Sequence, residues 1–478
     1  MTGPLVNIPK RVPLIIESEN RSGSVNKDSR LVNCYVEREG QNYHIFRRAG
    51  MKEWGNPPGT TAAGQGVFYW NHNVYSIFAG KLYKNLSLVA GAATVDTTGG
   101  VYSFNNIMGA NPKMVFQNGN YGYAYDDTAL ISANLHSLSP SYPQYTVKGL
   151  AYLDGTTYVM QHFFGTAITP AVIWGSGIND VTTANVWDPL NFITAQIEPD
   201  SGVYLAKQLV YVVALKEWTT EIFFDAGNAT GSPLGPVENA KINFGCASAD
   251  SVQRIDDTLL FISNTLGASN QILMISRLQP RVVSTPEIDR LLETADLSVV
   301  YSWQLKYNGH SFYIVTIKNN NLTLAYDIAQ NMWSQWTDTN GNYVPIVCSC
   351  RDVNDNHILQ HESNGNLYYS NSTYLDDNGS IIPLKIITPN FDLGTRRQKM
   401  LSNIGFVADQ SPGCLMNVSW SDNDYQSWSQ PQVVDMSDDY PRLPDLGSFR
   451  KRAFKFEVNN NQWFRLSAME AQIDVGTL

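Results

Sequence analysis

Apolar and polar residues alternate along most of this chain in short runs, each closed by a tight polar turn and followed by another run. The stretch GVFYWNHNVYSIFAGKLYKN, Gly66 to Asn85, reads as strand, Asn-His-Asn turn, strand, Ala-Gly turn, strand. Period-two alternation sends successive side chains to opposite faces of a pleated strand, so such runs predict half-buried strands. Similar units begin at Lys113 (KMVFQNGNYGYAYDD), Gly149 (GLAYLDGTTYVMQ), Gln208 (QLVYVVALKEWTTEIFFDAG) and Ser251 (SVQRIDDTLLFIS). The clearest starts at Gln304 (QLKYNGHSFYIVTIKNNNLTLAYDIAQNMWSQW), and the last at His357 (HILQHESNGNLYYSN). Asn-Gly, Asp-Gly and Asn/Asp pairs in the turns mark hairpins, because these residues enter the left-handed region cheaply.

The units recur at about 48 residues on average, within the ~40–50 of propeller blades. A single unit cannot bury both faces of its small sheet, whereas a closed ring of units can. Residues 61–375 are therefore expected to form a six- or seven-bladed β-propeller, with a pair of β-sandwiches as the structural alternative. Residues 1–60 carry strand-like LVNCYVE and YHIFRR before the Pro57-Pro58-Gly59 break, and predict an N-terminal β segment or packing arm. Beyond residue 376 the repeat stops while strand patterning continues, as in NIGFVAD, LMNVSWSDNDYQSWS and FRKRAFKFEVN. That pattern predicts a C-terminal β-sandwich, residues 376–478. Long stretches rich in Ala, Leu, Glu and Lys are lacking, so the expected class is all-β.

Composition agrees. Hydrophobic residues at 43% against 16% charged supply a core and exclude disorder. The 25 Tyr and 11 Trp suit half-buried pleated surfaces. A net charge of −10 is wrong for gripping a phosphate backbone over the whole surface. An acidic wall would instead repel a duplex and let it slide, so the charge excludes a clamp but not a conduit. Five Cys (Cys34, Cys246, Cys348, Cys350, Cys414) make no CxxC pair, and the odd count speaks for buried thiols in a reducing compartment. The apolar run Leu14 to Ile16 is far short of a signal peptide or a membrane span, so the reading is a protein made in a cytoplasm without stable membrane insertion.

Catalytic motifs are missing. Asp256-Asp257, Asp376-Asp377 and Asp422/Asp424 fall in predicted turns, where Asp serves local backbone hydrogen bonds rather than glycosidic acid–base work. SDNDYQSW, Ser421 to Trp428, approaches the Asp-box hairpin, with Asn423 and Tyr425 at the usual Asp and Gly positions, and reads as structural. His357 and His361 lie in strand-like context without the Glu of HExxH, and Cys348-Ser349-Cys350 has no second pair at zinc spacing. GxSxG, a P-loop and a dinucleotide fingerprint are all lacking. No catalytic, cofactor or metal residue is assigned, and the chain is expected not to be an enzyme. Its basic clusters are Arg47-Arg48, Arg396-Arg397-Lys399 and Arg450-Lys451-Arg452. They read as solvated faces or inter-subunit salt bridges, the functional alternatives being contact with DNA phosphates on a pore wall or docking to an acidic neighbouring ring.

NVWDPLNFITAQIEPDSGVYLA (Asn185 to Ala206), then EWTTEIFFDAGNATGSPLGP, FGCASADSVQRIDDTLLFIS and STPEID (Ser284 to Asp289), resembles in ordered succession the tail nozzle and packaged-DNA-stabilisation proteins of short-tailed phages. Trp187, Asp188, Asp200, Thr220, Glu221 and Gly245 fit its motifs, with Leu190, Phe192, Asp225, Gly227 and Ala247. RLVNCYVE, RRAG and the GKLYK hairpin extend the likeness over residues 30–370, while Ile197-Glu198-Pro199 departs from the small or acidic residues commoner there. The resemblance implies a hexameric ring below the head-to-tail adaptor that holds packaged DNA and conducts it through a central lumen without sequence specificity. Tail fibres or tailspikes and a plug or needle protein would be its partners, and the virion its location. A glycan-binding or glycan-degrading propeller is the alternative, and a propeller scaffold for cytosolic protein partners a third.

Overall fold

The computed structural model describes residues 10–12, 14, 29–40, 42–91, 94–128, 134–161, 171–238 and 240–475. Parts of the expected N-terminal arm, and Ile15 and Ile16 of its apolar run, lie outside them. The chain is all-β and divides into two compact units: residues 53–305 with 345–369, and residues 1–52, 306–344 and 370–478. Among the described residues no helix is long and apolar enough to cross a membrane.

The first unit is a propeller. Successive antiparallel meanders occupy residues 64–88, 103–125, 151–195, 202–236 and 245–282, and the seventh sheet in chain order covers 346–371. Strand Gly50–Gly55 also joins that seventh sheet. The sixth meander is divided: its first strand, Val300–Tyr307, counts with the propeller as far as Leu305, and the rest falls in the second unit. The expected span 61–375 thus contains a stretch, 306–344, whose contacts lie with the terminal segments. Alternation along a strand says which residues are buried, not which sheet buries them.

Turn chemistry is as the dipeptides require. Asp154 and Gly155 both have positive φ (48° and 88°), as do Asn71 and His72 (47° and 60°). Apolar clusters fill the spaces between consecutive sheets. Tyr75, Ile77, Met114 and Phe116 pack between the first and second, and Ala206, Leu215, Phe261 and Leu273 between the fourth and fifth. Burying one such large side chain stabilises by roughly 1.5–3 kcal/mol.

Hydrogen bonds close the ring of innermost strands at every joint, and buried glutamines recur among them. The Tyr102 N–H donates to the Gln65 carbonyl at 2.7 Å between the first two blades. Gln117 Nε2 donates to the Val147 carbonyl at 2.9 Å, while its Oε1 accepts from the Thr146 and Tyr142 hydroxyls. The Leu205 N–H reaches the Lys148 carbonyl at 3.0 Å. Gln208 donates to the Asp257 and Ile275 carbonyls, Gln253 to the Ser302 carbonyl, and the Gln304 N–H to the Ser349 hydroxyl. Gln360 completes the circuit, donating to the Ile77 carbonyl at 2.9 Å and accepting from the Gly66 N–H at 2.7 Å. A buried acceptor left without its donor costs about 1–3 kcal/mol. Gln117→Leu, which keeps much of the volume, is therefore expected to cost about that much, read as a lower urea midpoint at unchanged slope.

In the second unit two sheets face one another across a core that includes Val36, Ile45, Leu384, Leu401, Phe406, Val418, Phe456 and Leu466. One carries Cys34–Glu39, Asn42–Arg47, Arg465–Val475, Lys399–Ala408 and Arg442–Pro444 in that order. The other runs His310–Ile317, Leu322–Asp327, Met332–Trp336, Arg30–Val32, Leu384–Ile387, Ala453–Val458, Leu415–Ser421 and Gln432–Asp435. This is the β-sandwich expected at the C-terminus, and strands from the N-terminal segment complete it.

Candidate functional site

The first strand of a propeller sheet faces the axis, so the residues lining that axis come from sites far apart in sequence. Here they form two cavities. The first, about 320 Å³, is lined by Ser103, Asp250, Gln253, Tyr301, Ser302 and Ser349 among others. The second, about 380 Å³, is lined by Asn105, Asn106, Leu150, Tyr152, Lys207 and Leu259 among others. Phe68, Phe104, Tyr204, Val252 and Arg254 line both and form the partition between them. Phe68 and Phe104 stack with centroids 5.4 Å apart and planes 6° from parallel, where the two cavities adjoin.

The polar groups of the first cavity are occupied with one another. Lys148 Nζ meets both oxygens of Asp250 at 2.7 and 2.8 Å. The Ser302 hydroxyl donates to the Asp250 carbonyl, and the Ser349 hydroxyl to the Gln304 carbonyl. Burial, with the charges of Glu362 and Asp250, pushes Tyr301 up to about 12, and burial pushes the Cys348 thiol to about 12. Tyr301 and Cys348 are thereby held protonated, while the Lys148, Ser302 and Ser349 hydrogen bonds tie neighbouring blades together. Among the described residues no group of three or more His, Cys, Asp or Glu could hold a metal ion.

The motif residues of the middle chain are structural. Trp187 is fully buried, donates to the Val181 carbonyl at 3.2 Å and meets Tyr142 edge-on at 4.9 Å. Asp188 accepts from the Leu190 N–H in a turn. Asp200 and Glu221 close on Lys216, whose Nζ lies 2.7 and 2.6 Å from them and 2.8 Å from the Glu198 carbonyl. Burial works against the ionised Asp200 but is outweighed by the Lys216 hydrogen bond, the Trp218 N–H, the Lys216 charge and Thr219, so its pKa is lowered. The Ile197 N–H donates to Glu221, so the same cluster holds the Ile197-Glu198-Pro199 loop. The Thr220 hydroxyl donates to the Phe244 carbonyl, and a Cβ on Gly245 would overlap the Glu217–Trp218 peptide. Only glycine fits there.

The basic clusters divide by burial. Arg48 is buried, forks onto Asp377 at 2.6 and 3.1 Å, and donates to Asn33 Oδ1 and the Ala49 and Thr337 carbonyls. Arg47 is buried and donates to the Ile382 carbonyl; burial, opposed by nearby groups, lowers it to about 10, so it stays charged at neutral pH. Arg452 forks onto Asp422 and lies over Phe449 and Trp420, and Lys399 Nζ is held by the Thr395, Arg397 and Arg450 carbonyls. Burial thus removes Arg47, Arg48, Lys399 and Arg452 from any phosphate-contacting surface of this subunit. Arg396, Arg397 and Arg450 are exposed, and half-buried Lys451 pairs with Asp424 at 3.2 Å. Arg450 donates to the Arg396 carbonyl, which gathers three arginines at one corner of the sandwich.

Sequence reasoning missed Lys216, Lys207, Arg254 and the glutamines. Lys216 did carry a signal, a charge ending the apolar run YVVAL, but its two partners are separated from it by turns.

The fold defines a β-propeller protein. The family model described as bacteriophage P22 Gp10, beta-propeller, matches residues 41–368. The chain belongs to this phage-stabilisation family. No curated protein matches it. Among solved structures, the extracellular domain of B. thetaiotaomicron BT4673, described once as a hybrid two component and once as a one component system, is similar in two structures at TM-score 0.41, with 7% and 9% identity. These matches cover 77% and 90% of this chain, which spans 43% and 62% of theirs. The Dos1 propeller is similar at TM-score 0.37 and 10% identity, over 74% of this chain and 94% of that one.

Proposed function

We propose that the chain is a structural subunit of a short-tailed phage tail. It forms a ring, hexameric as the resemblance implies, below the head-to-tail adaptor, retains the packaged DNA and conducts it at ejection. It performs no catalysis, is assembled in the host cytoplasm, and meets tail fibre or tailspike and plug or needle proteins in the virion. Family membership is the observation that carries this reading. Cavities of about 320 and 380 Å³ divided by stacked phenylalanines cannot pass a duplex whose major groove alone is about 12 Å wide. On this proposal DNA runs between subunits, and the chain's net charge of −10 disfavours a tight grip on it. Light scattering and negative-stain imaging of the purified chain, alone and with its adaptor, test this. A ring is expected; a monomer in both, able to bind or cleave polysaccharide, would overturn it.

The exposed corner of Arg396, Arg397 and Arg450 suits docking to an acidic neighbouring ring. Reversing all three to Glu is expected to weaken that docking at least tenfold at low salt. Its thermal unfolding transition should be unchanged, because the side chains are exposed. Equal docking affinity would remove the corner from the interface. A glycan-binding reading has its own observation, a cleft of about 470 Å³ lined by Asp96, Asn120, Tyr121, His136, Gln144 and Tyr145. Two of its tyrosines are exposed, as rings that stack on sugars must be.

A further inference from the structure

The second axial cavity differs from the first in charge: the first, which Arg254 also lines, contains the carboxylate of Asp250. That carboxylate is paired with Lys148, which reaches it from outside the lining. Lys207 and Arg254 both line the second, and its lining contains no carboxylate. Arg254 uses Nε on the Asp256 carbonyl at 3.1 Å, which leaves the other two guanidinium nitrogens for a ligand. Neither cation stands in an ion pair among the described residues, although the charge of Asp154 acts on Lys207 from outside the lining. Burial and the Arg254 charge, opposed by Asp154, lower the Lys207 pKa, as repulsion between two neighbouring cations requires. Two like charges on one concave wall favour a ligand of opposite sign. The remaining wall is suited to a carbon body. Phe68, Phe104, Leu150, Val252 and Leu259 form it, and Asn105, Asn106 and Tyr152 add polar groups.

We propose that this end of the propeller axis is a binding site for a small organic anion, a phosphate or carboxylate on an apolar body. Lys207 and Arg254 hold the oxyanion, and the Phe68–Phe104 stack meets the body. Arg presents a planar fork to two oxygens while Lys supplies a point charge, a pairing that suits either anion. The cavity is at the low end of the volume range of small-molecule sites, which fits a single-ring ligand. Nothing in this inference depends on the chain's role in a tail.

Isothermal titration of the full chain with phenyl phosphate, benzoate and benzyl alcohol tests it. At least one of the two anions is expected to bind tenfold or more tighter than the uncharged alcohol, more weakly as salt is raised. Lys207→Met and Arg254→Gln should each lose about tenfold of the affinity, and the pair together more. Arg254 is exposed, so its substitution leaves the fold intact and keeps the comparison valid even if Lys207→Met is destabilised. Absence of binding by either anion, equal affinity for the alcohol, or affinity unchanged in Arg254→Gln would overturn the proposal.

Discussion

Replacing Lys216 by methionine is expected to destabilise the propeller unit by about 3–5 kcal/mol, the cost of stranding buried charge when its partner is removed. Lys216 is fully buried, and its two carboxylate partners are 2% and 3% exposed, so water cannot take over the role of the ammonium. Methionine fills similar volume, which separates lost charge from lost packing. The pH dependence identifies the mechanism. In the natural protein Asp200 has a lowered pKa, so its contribution is fully present above the unfolded value of 3.8 and is lost as pH falls through the folded value. In the variant burial dominates instead and raises the Asp200 pKa. That part of stability is then present below the unfolded value and lost as pH rises through the new folded one. The deficit should therefore shrink on acidification, and adding Glu221→Gln should restore part of it at neutral pH. Urea unfolding at several pH values measures both effects, and a pH-independent deficit would mean that only packing was lost.

Arg48→Ala is expected to cost the second unit about 3–5 kcal/mol for the same reason. The guanidinium is 2% exposed at its side chain, Asp377 only 13%, and its loss also strands the Ala49 and Thr337 carbonyls and Asn33 Oδ1. The plane of Arg48 also lies over Trp336, 5.4 Å from a ring centroid. Arg48→Lys should recover less than half, because an ammonium cannot fork onto both Asp377 oxygens and still reach the carbonyls. Differential scanning calorimetry of the three proteins checks the ranking. Full recovery by lysine would show that charge alone matters there.

Both effects concern charge pairs that were not legible in the sequence, and the reason is physical. Hairpins are local, so the alternation from Gly66 to Asn85 and the Asp154-Gly155 turn were legible without tertiary information. Pairing of distant charges is not local. Arg47-Arg48 looks like a solvated basic cluster, yet Arg48 meets Asp377 across more than three hundred residues. Asp200 and Glu221 were singled out by resemblance, but their shared partner Lys216 belongs to no motif.

The sequence by itself determined the all-β class, the hairpin turns, the repeat that implies blades, and the absence of recognisable catalytic motifs. Each follows from spacing within a few dozen residues, where chain geometry leaves little choice. The tertiary structure decided that 306–344 counts with the sandwich, and that buried glutamines tie neighbouring blades together. It also decided which cations are buried and neutralised and which, at Lys207 and Arg254, line a cavity outside any ion pair among the described residues. Those outcomes depend on which distant strands become neighbours, and the period-two code carries no address for them.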